Sequence, residues 1–179
     1  TYENPDPAQA NAEILADLAG GVGGIELVLD GGGIVIGSVI DLDLALADVI
    51  LEAAPVSLDG ADLAPATMLE AKLRGVAAPG TAFNLDPIGA LMRSGVFSRP
   101  DLIDAAGFAV RMCDALPAAT SLRVDARPVH EAGGTEAQEI GASVATGIAY
   151  LRALTEGDVL TINEAARTLS FALSVGDGT

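Results

Sequence analysis

The stretch SLRVDARPVHEAGGT, residues 121–135, gives the clearest indication of the fold. Leu122 to Ala126 form a short alternating run that is typical of a strand. The polar residues after it include the only histidine, His130, and a long helix is predicted to begin at Thr135. Parallel α/β folds keep their chemistry at the carboxyl ends of strands. We therefore expect a polar corner here, with His130 beside a strand end.

Outward from this corner, helix and strand patterns alternate along the chain. Strands are predicted at residues 25–29, 55–59, 81–85, 122–126 and 168–175. Helices are predicted at residues 7–19, 41–52, 63–76, 87–92, 98–116 and 135–157, with a short one after Thr161. Short connections between such elements imply a parallel sheet with right-handed crossovers.

The helix starts carry recognisable capping sequences. Asp6-Pro7 and Asp86-Pro87 each place an N-cap aspartate before a proline at the first helical position. Ser98 is the expected N-cap of the fifth helix, and Thr135 and Thr161 each open a capping box. The apolar spacing of the long helix predicts an inward face made of Ala137, Ile140, Gly141, Val144, Ile148 and Leu151. In the second helix, Leu42, Leu46, Val49 and Ile50 are expected to point inward.

The fold class predicted from this alternation is α/β. A closed (β/α)8 barrel needs eight strands and about 250 residues, whereas five strands are predicted here. The chain is therefore either a small open sheet or part of a TIM barrel. Its 179 residues suffice for one domain with a sizeable core, and we expect a single domain over residues 1–179.

Composition narrows the classes of function. The formal net charge is −16, which disfavours nucleic acid and anionic membrane surfaces as partners. No apolar run reaches the roughly 18 residues of a membrane span. The one cysteine, Cys113, cannot form an intrachain disulfide, and no export signal is recognisable. These features predict a cytoplasmic protein.

His130 and Glu131 are adjacent, and Asp125 lies just upstream, so a metal site or an acid/base pair is conceivable. However, the chain has no second histidine, and neighbouring side chains tend to point apart. We therefore expect no metal site. The alternative is a histidine that makes a local hydrogen bond at a strand-to-helix corner.

Three further motifs have ordinary structural explanations. Arg123 and Arg127, four apart on one predicted strand, face the same way and either bind an anion or pair with local acids. The glycines of residues 30–33 do not match a phosphate-binding fingerprint, which favours a flexible turn. Cys113 lies on an apolar helix stripe and is expected to be a small buried hydrophobe.

The sequence from His130 to Ile140, together with residues 145–152, resembles the barrel domain of methylmalonyl-CoA mutases. There a Glu-Ala-Gly corner opens a long helix that ends near Tyr-x-Arg. Other stretches are similar to the small subunit of the two-subunit enzymes, and these are residues 6–11, 14–18, 20–22 and 86–91. The resemblance covers essentially the whole chain.

This resemblance implies a (β/α)8 barrel in which acyl-CoA threads the axis, followed by a cobalamin-binding domain. The family performs a radical rearrangement of methylmalonyl-CoA and succinyl-CoA with adenosylcobalamin, in propionate metabolism. The chain would be an incomplete barrel, because the last barrel strands and the Asp-x-His-x-x-Gly motif of the cobalamin domain are not found in it.

Catalytic members carry Tyr-His-Met-Gln just before Glu-Ala-Gly. Aligned on Glu131, this pattern falls on residues 127–130, so that Pro128 replaces the catalytic histidine and His130 replaces the glutamine. A prolyl side chain cannot donate a hydrogen bond or move a proton. The resemblance therefore implies no catalytic residue, and Arg127, His130 and Glu131 are only corner candidates.

The leading expectation is a small-subunit-like, non-catalytic component that pairs with a catalytic large mutase subunit. Adenosylcobalamin would belong to the parent complex and would not bind this chain. An alternative is a catalytic acyl-CoA mutase barrel acting with a separate cobalamin-binding subunit, and a third is an unrelated α/β binding module. Open sheet edges in an incomplete barrel also predict self-association.

Overall fold

A computed structural model describes residues 1–60, 62–96 and 99–174. The chain divides into two compact units, which are described separately. Unit 1 comprises residues 1–85 and 115–119, and unit 2 comprises residues 86–114 and 120–179. No helix in the described ranges is long and apolar enough to cross a membrane.

Unit 1 is built from three strands that alternate with helices. Its elements are α1 (Pro7–Ala19), β1 (Ile25–Val28), α2 (Val39–Ala45), β2 (Val56–Asp59), α3 (Leu63–Leu73) and β3 (Ala82–Leu85). Strand β2 lies between β1 and β3 and is parallel to both, with Ile25 opposite Val56 and Ser57 opposite Ala82. Apolar residues of the strands and helices form the core of this unit, among them Ile14, Leu27, Leu58, Leu69 and Phe83.

Unit 2 repeats the alternation around a second parallel pair of strands. Its elements are α4 (Pro87–Ser94), α5 (Arg99–Ala115), β4 (Thr120–Asp125), α6 (Arg127–Glu131), α7 (Glu136–Thr155), a 3-10 turn (Glu156–Asp158), α8 (Ile162–Arg167) and β5 (Leu169–Ala172). Leu122 of β4 lies opposite Leu169 of β5, and the ladder continues to Asp125 and Ala172. Leu122 and Val124 are completely buried.

Five parallel strands alternating with helices confirm the predicted α/β class, and the arrangement is consistent with part of a TIM barrel. The capping predictions are also confirmed. The carboxylates of Asp6 and Asp86 accept backbone N–H groups of Ala8 and Gly89, each at 2.9 Å. Thr135 and Thr161 form complete capping boxes with Gln138 and Glu164.

The bounds predicted for the second helix were wrong, and so was part of its predicted inward face. It begins at Val39, because the Ser38 side chain caps it by accepting the Asp41 N–H. It ends at Ala45, and Asp48 adopts a left-handed backbone conformation with φ of 58°. Ile50 lies beyond the helix, so it is exposed and does not point inward as predicted.

The inward face predicted for the long helix was also wrong. Ile140, Val144 and Ile148 are exposed by 57%, 55% and 44%. The buried face of α7 consists instead of Glu139, Ser143, Thr146, Gly147, Tyr150 and Leu154. Hydrophobic spacing failed here because Glu139 and Tyr150 of the buried face have hydrogen-bond partners inside unit 2.

Two sequence predictions fall partly outside the described residues. Ser98, the expected N-cap of α5, is one of them. The final strand, predicted at residues 168–175, is described as Leu169–Ala172, and Val175 lies outside the described ranges.

Candidate functional site

The predicted corner lies at the carboxyl end of β4, as expected. The strand ends at Asp125, and a short helix that the sequence reading did not foresee, α6, follows from Arg127 to Glu131. Gly133 then adopts a left-handed conformation with φ of 85° before Thr135 caps α7. The prediction that Arg123 and Arg127 share a strand face was wrong, because Arg127 lies beyond the strand.

Asp125 and Arg127 form the tightest charged contact of the corner. The Arg127 guanidinium donates to both carboxylate oxygens at 2.9 and 2.7 Å, and the Arg127 backbone N–H donates to Oδ1 at 3.0 Å. Arg93 approaches the same carboxylate at 3.5 Å. Burial raises the pKa of Asp125, but the hydrogen bonds and charge of Arg127, helped by Arg93, outweigh it and lower the pKa overall. Arg127 thus pairs with a local acid, one of the two expected alternatives.

His130 makes a local contact at the start of α7. Its Nδ1 lies 3.5 Å from the Oε2 atom of the buried Glu139, and Oε1 of Glu139 accepts the backbone N–H of Ser174 at 2.6 Å. His130 is itself about half exposed. Glu131, the neighbouring candidate, is exposed. The structure therefore places His130 beside Glu139, not beside Glu131 or Asp125.

A shallow groove of about 410 Å³ lies against this corner. The groove is lined by both polar and apolar surface, and its lining residues are Met92, Pro128, Val129, Ala132, Gly133, Gly134 and Gln138. Pro128 is thus part of the groove wall. Within the lining, Gln138 is the one side chain with hydrogen-bonding groups, and its Oε1 accepts the Thr135 N–H at 2.8 Å.

A second polar cluster, missed by the sequence reading, is built on Asp86. The Tyr150 hydroxyl donates to Asp86 Oδ1, and the same hydroxyl accepts the Ile88 N–H at 3.0 Å. Asp86 Oδ2 is buried and has no hydrogen-bond partner. A Cβ on Gly89 would lie 1.9 Å from this oxygen, so glycine is required there.

Burial raises the pKa of Asp86, and the hydrogen bonds from Tyr150 and Gly89 oppose this only in part. Burial and the neighbouring Asp86 charge raise the pKa of Tyr150 above its ordinary value. The Asp-Pro capping sequence predicted that Asp86 caps a helix. Burial of Tyr150 could have been predicted from the polar residues Glu139, Ser143 and Thr146, which lie at helical spacing on the same face.

The glycines after β1 are explained by a tight turn. Gly31 and Gly32 have φ of 61° and 93°, and a Cβ on Gly33 would lie 2.1 Å from the carbonyl oxygen of Val28. The Ile34 N–H donates a hydrogen bond to the same carbonyl oxygen at 2.7 Å. These backbone demands account for the glycines without a phosphate ligand.

Two remaining candidates lie away from the corner. Cys113 is half-buried on α5, and burial together with Glu164 and Asp114 raises its pKa, which disfavours the reactive thiolate. Within the described part of the chain, no group of three His, Cys, Asp or Glu side chains is arranged to hold a metal ion.

Comparison with known proteins identifies the family. The methylmalonyl-CoA mutase family model matches residues 22–178. The chain is 39% identical to the methylmalonyl-CoA mutase small subunit of Streptomyces virginiae over 86% of its length. It is 33% identical to the probable small subunit of Mycobacterium bovis and 30% identical to the small subunit of Propionibacterium freudenreichii subsp. shermanii, each over 97% of its length.

These alignments cover 25%, 28% and 27% of the relatives, so the chain spans about a quarter of their length. The matched region nevertheless includes both strands of unit 2, the Pro128 corner and the Asp86–Tyr150 cluster. With a family model over most of its length and relatives aligned over nearly all of it, the chain belongs to the methylmalonyl-CoA mutase family.

Proposed function

We propose that this chain is a structural, non-catalytic barrel component of the small-subunit type in an adenosylcobalamin-dependent methylmalonyl-CoA mutase. Its partner is the catalytic large subunit, with which it forms a heterodimer. The names of the relatives support the small-subunit assignment, since each is called a small subunit of this mutase. The isomerisation of methylmalonyl-CoA and succinyl-CoA takes place on the large subunit.

The observation that carries this proposal is Pro128 in the groove wall. When the chain is aligned on Glu131 with the pattern of catalytic members, Pro128 corresponds to their catalytic histidine, which supports the proposal. Proline has no N–H and no side-chain proton, so it can neither donate a hydrogen bond to an acyl group nor transfer a proton. The nearest histidine in sequence, His130, is turned to Glu139.

Arg127, the other cationic candidate, supports the same conclusion. Its guanidinium is bonded to both oxygens of Asp125. A substrate carboxylate or phosphate would have to compete with a charge-assisted, bidentate pair whose carboxylate is buried. The net charge of −16 further disfavours a polyanionic acyl-CoA.

The groove at the corner does not fit adenosylcobalamin. The groove of about 410 Å³ lies near the lower end of ligand-site volumes and is too small to enclose a corrin with its adenosyl and nucleotide groups. His130, the one imidazole available as a cobalt ligand, is held beside Glu139. We place the cofactor elsewhere in the complex, and the complex in the cytoplasm, which the single cysteine supports.

The proposal is tested by turnover. The chain is mixed with adenosylcobalamin and methylmalonyl-CoA, alone and with the large subunit that partners the Streptomyces virginiae relative. We expect no succinyl-CoA from the chain alone, and co-elution with the large subunit in size-exclusion chromatography. Pro128→His serves as the matched variant, since it introduces an imidazole at residue 128 and changes no other residue of the groove wall.

We expect Pro128→His to remain inactive alone, because no other described group in the groove transfers protons. Turnover by the unaltered chain alone would overturn the non-catalytic proposal. Turnover on adding a separate cobalamin-binding subunit would instead favour the catalytic-barrel alternative. Failure to co-elute with the large subunit would overturn the partner assignment.

A further inference from the structure

The outer face of helix α2 in unit 1 is apolar and exposed. Leu42 and Ala45, on its inner face, are buried in the core of the unit. On the opposite face, Ile40 and Leu44 are exposed by 70% and 46%, and Val39 beside them is exposed by 54%. Residues four apart in a helix lie on one face, so Ile40 and Leu44 form a ridge that points away from the core.

The helices on both sides of α2 belong to the same unit. The Asn11 side chain of α1 donates to the carbonyl oxygens of Ala45 and Ala47 at 3.1 and 2.8 Å. Lys72 of α3 forms an ion pair with Asp43 of α2 at 2.6 Å. The helices of a (β/α)8 barrel form an outer ring around the strands, and α2 lies in that ring between α1 and α3. The ridge therefore faces outward from the ring, where no other strand or helix of the same barrel packs.

The charge of the chain is distributed unevenly, and α2 lies in its most acidic part. Residues 1–71 contain 13 Asp and Glu and no Lys, Arg or His. Residues 72–179 contain 12 Asp and Glu together with all nine Lys and Arg. Beside the ridge in sequence, Asp43, Asp48 and Glu52 are exposed. The apolar ridge is thus set in a surface whose charged side chains are almost all acidic.

We propose that the ridge of Val39, Ile40 and Leu44, with the acids Asp43 and Asp48, is the surface that binds the catalytic large subunit. We name it the α2 surface. This inference rests on the heterodimer proposed above and adds the place of contact. An exposed apolar patch with a polar rim is typical of a protein interaction site.

The charge around the ridge defines the complementary surface of the partner. That surface needs an apolar centre to cover Ile40 and Leu44, and Lys and Arg side chains around it to face the acids. A second copy of this chain does not meet the second requirement, because residues 1–71 would bring 13 acids against 13 acids. The large subunit is the partner to which we assign these features.

The two parts of the α2 surface should respond differently to salt. Contact between apolar side chains persists at high salt, whereas attraction between the acidic rim and a basic partner is screened. We expect the Kd to rise severalfold between about 0.1 and about 1 M salt, as the Debye length falls from about 10 to about 3 Å. Most of this change should appear in the association rate.

Surface plasmon resonance tests the proposal with the 179-residue chain and the large subunit that partners the Streptomyces virginiae relative. Ile40→Lys should raise the Kd at least about tenfold, because it buries a charge that repels the basic rim of the partner. Ile103→Lys on α5 is the matched control, since Ile103 is exposed by 59% and the charge change is the same. It should change the Kd by less than about twofold.

The acidic rim has its own matched pair. Asp48→Asn and Asp104→Asn each remove one exposed carboxylate, and asparagine also suits the left-handed backbone of residue 48. Asp48→Asn should slow association more than Asp104→Asn, and the difference should vanish at about 1 M salt. Circular dichroism and urea unfolding establish that each variant is folded.

The possible outcomes separate this inference from the proposed function. If the unaltered chain binds and Ile40→Lys behaves like Ile103→Lys, the α2 surface is overturned and the heterodimer stands. If the unaltered chain does not bind the large subunit, the heterodimer is overturned and the assignment falls with it. Binding that strengthens with salt would overturn the basic partner surface. Self-association of the unaltered chain that Ile40→Lys abolishes would assign the ridge to a second copy and overturn the proposal.

Discussion

Two aspartates of unit 2 follow successive strands and meet opposite environments. Asp86 comes directly after β3, is buried, and bonds to the neutral groups of Tyr150 and Gly89. Asp125 ends β4, is also buried, and bonds to the guanidinium of Arg127. The pKa of Asp86 is raised, whereas that of Asp125 is lowered.

The difference shows that burial alone does not decide the charge of a carboxyl group. Burial disfavours the carboxylate in both cases. At Asp125 a cation compensates for the lost water, while at Asp86 one oxygen stays without any partner. The carboxyl ends of two successive strands thus hold one compensated and one poorly compensated acid, and neither acid lines the groove.

The largest expected effect comes from breaking the Asp86 cluster through Tyr150. Tyr150→Phe removes the donor to Asp86 and the acceptor of the Ile88 N–H, so two buried groups lose partners. We expect the free energy of unfolding to fall by about 3 kcal/mol. The other tyrosine is the matched control, because Tyr2 donates to Asp17 at 3.0 Å and Asp17 is exposed.

Tyr2→Phe should cost only about 1 kcal/mol, since water replaces the lost donor at Asp17. Urea unfolding at neutral pH measures both variants. Equal losses would show that Asp86 has another hydrogen-bond partner, and the contrast between Asp86 and Asp125 would then weaken.

The next effect comes from removing the compensating cation. Arg127→Met keeps an unbranched apolar chain but leaves the buried Asp125 carboxylate with Arg93 at 3.5 Å and a backbone N–H. We expect a loss of about 2 kcal/mol at pH 7, reduced from a fully buried pair because Arg127 is partly exposed. Arg152→Met on the exposed side of α7 should change stability by less than about 0.5 kcal/mol. A similar loss in both variants would contradict a specific role for Arg127.

Asp86 and Asp125 should make the stability depend on pH with opposite signs. Asp86 has a raised pKa when folded, so its contribution is complete below the unfolded pKa of about 4 and is lost as pH rises through the folded pKa. Asp86→Asn mimics the protonated acid and removes this loss. Relative to the unaltered chain, the variant should therefore gain stability as pH rises above about 4.

Asp125 behaves in the reverse way. Its pKa is lowered, so its contribution is present above about pH 4 and is lost as pH falls through the folded pKa. The penalty of Arg127→Met should consequently shrink in acid. Urea unfolding from about pH 3 to about pH 8 covers both transitions. Parallel profiles for the two variants would contradict the opposite pKa directions.

The sequence predicted those parts of the fold that depend on neighbouring residues. Asp6-Pro7, Asp86-Pro87 and the two threonine capping boxes each use a side chain and a backbone group no more than three residues apart. Such contacts form in any helix with that sequence. The order of strands and helices followed from periodicity for the same reason.

The parts that failed depend on partners distant in the chain. The buried face of α7 could not be read from hydrophobicity, because Tyr150 is buried through a bond to Asp86, 64 positions away. Glu139 is buried through Ser174, 35 positions away. The short helix α6 was not predicted, although Pro128 suits a first helical turn.

The smallest expected effect concerns His130, the only histidine of the sequence. Its contact with Glu139 is long, at 3.5 Å, and its side chain is about half exposed, so water can replace it. Glu139 keeps the Ser174 N–H in either case. His130→Gln should therefore change the free energy of unfolding by less than about 0.5 kcal/mol and leave large-subunit activity unaffected. Glu139→Gln is the informative comparison, because it weakens the buried acceptor of the Ser174 N–H and should cost about 1 kcal/mol in the same urea unfolding assay. If His130→Gln proves the more destabilising of the two, the histidine stabilises the corner. Glu139 would then matter through its contact with His130 and not through its hydrogen bond to Ser174 after β5.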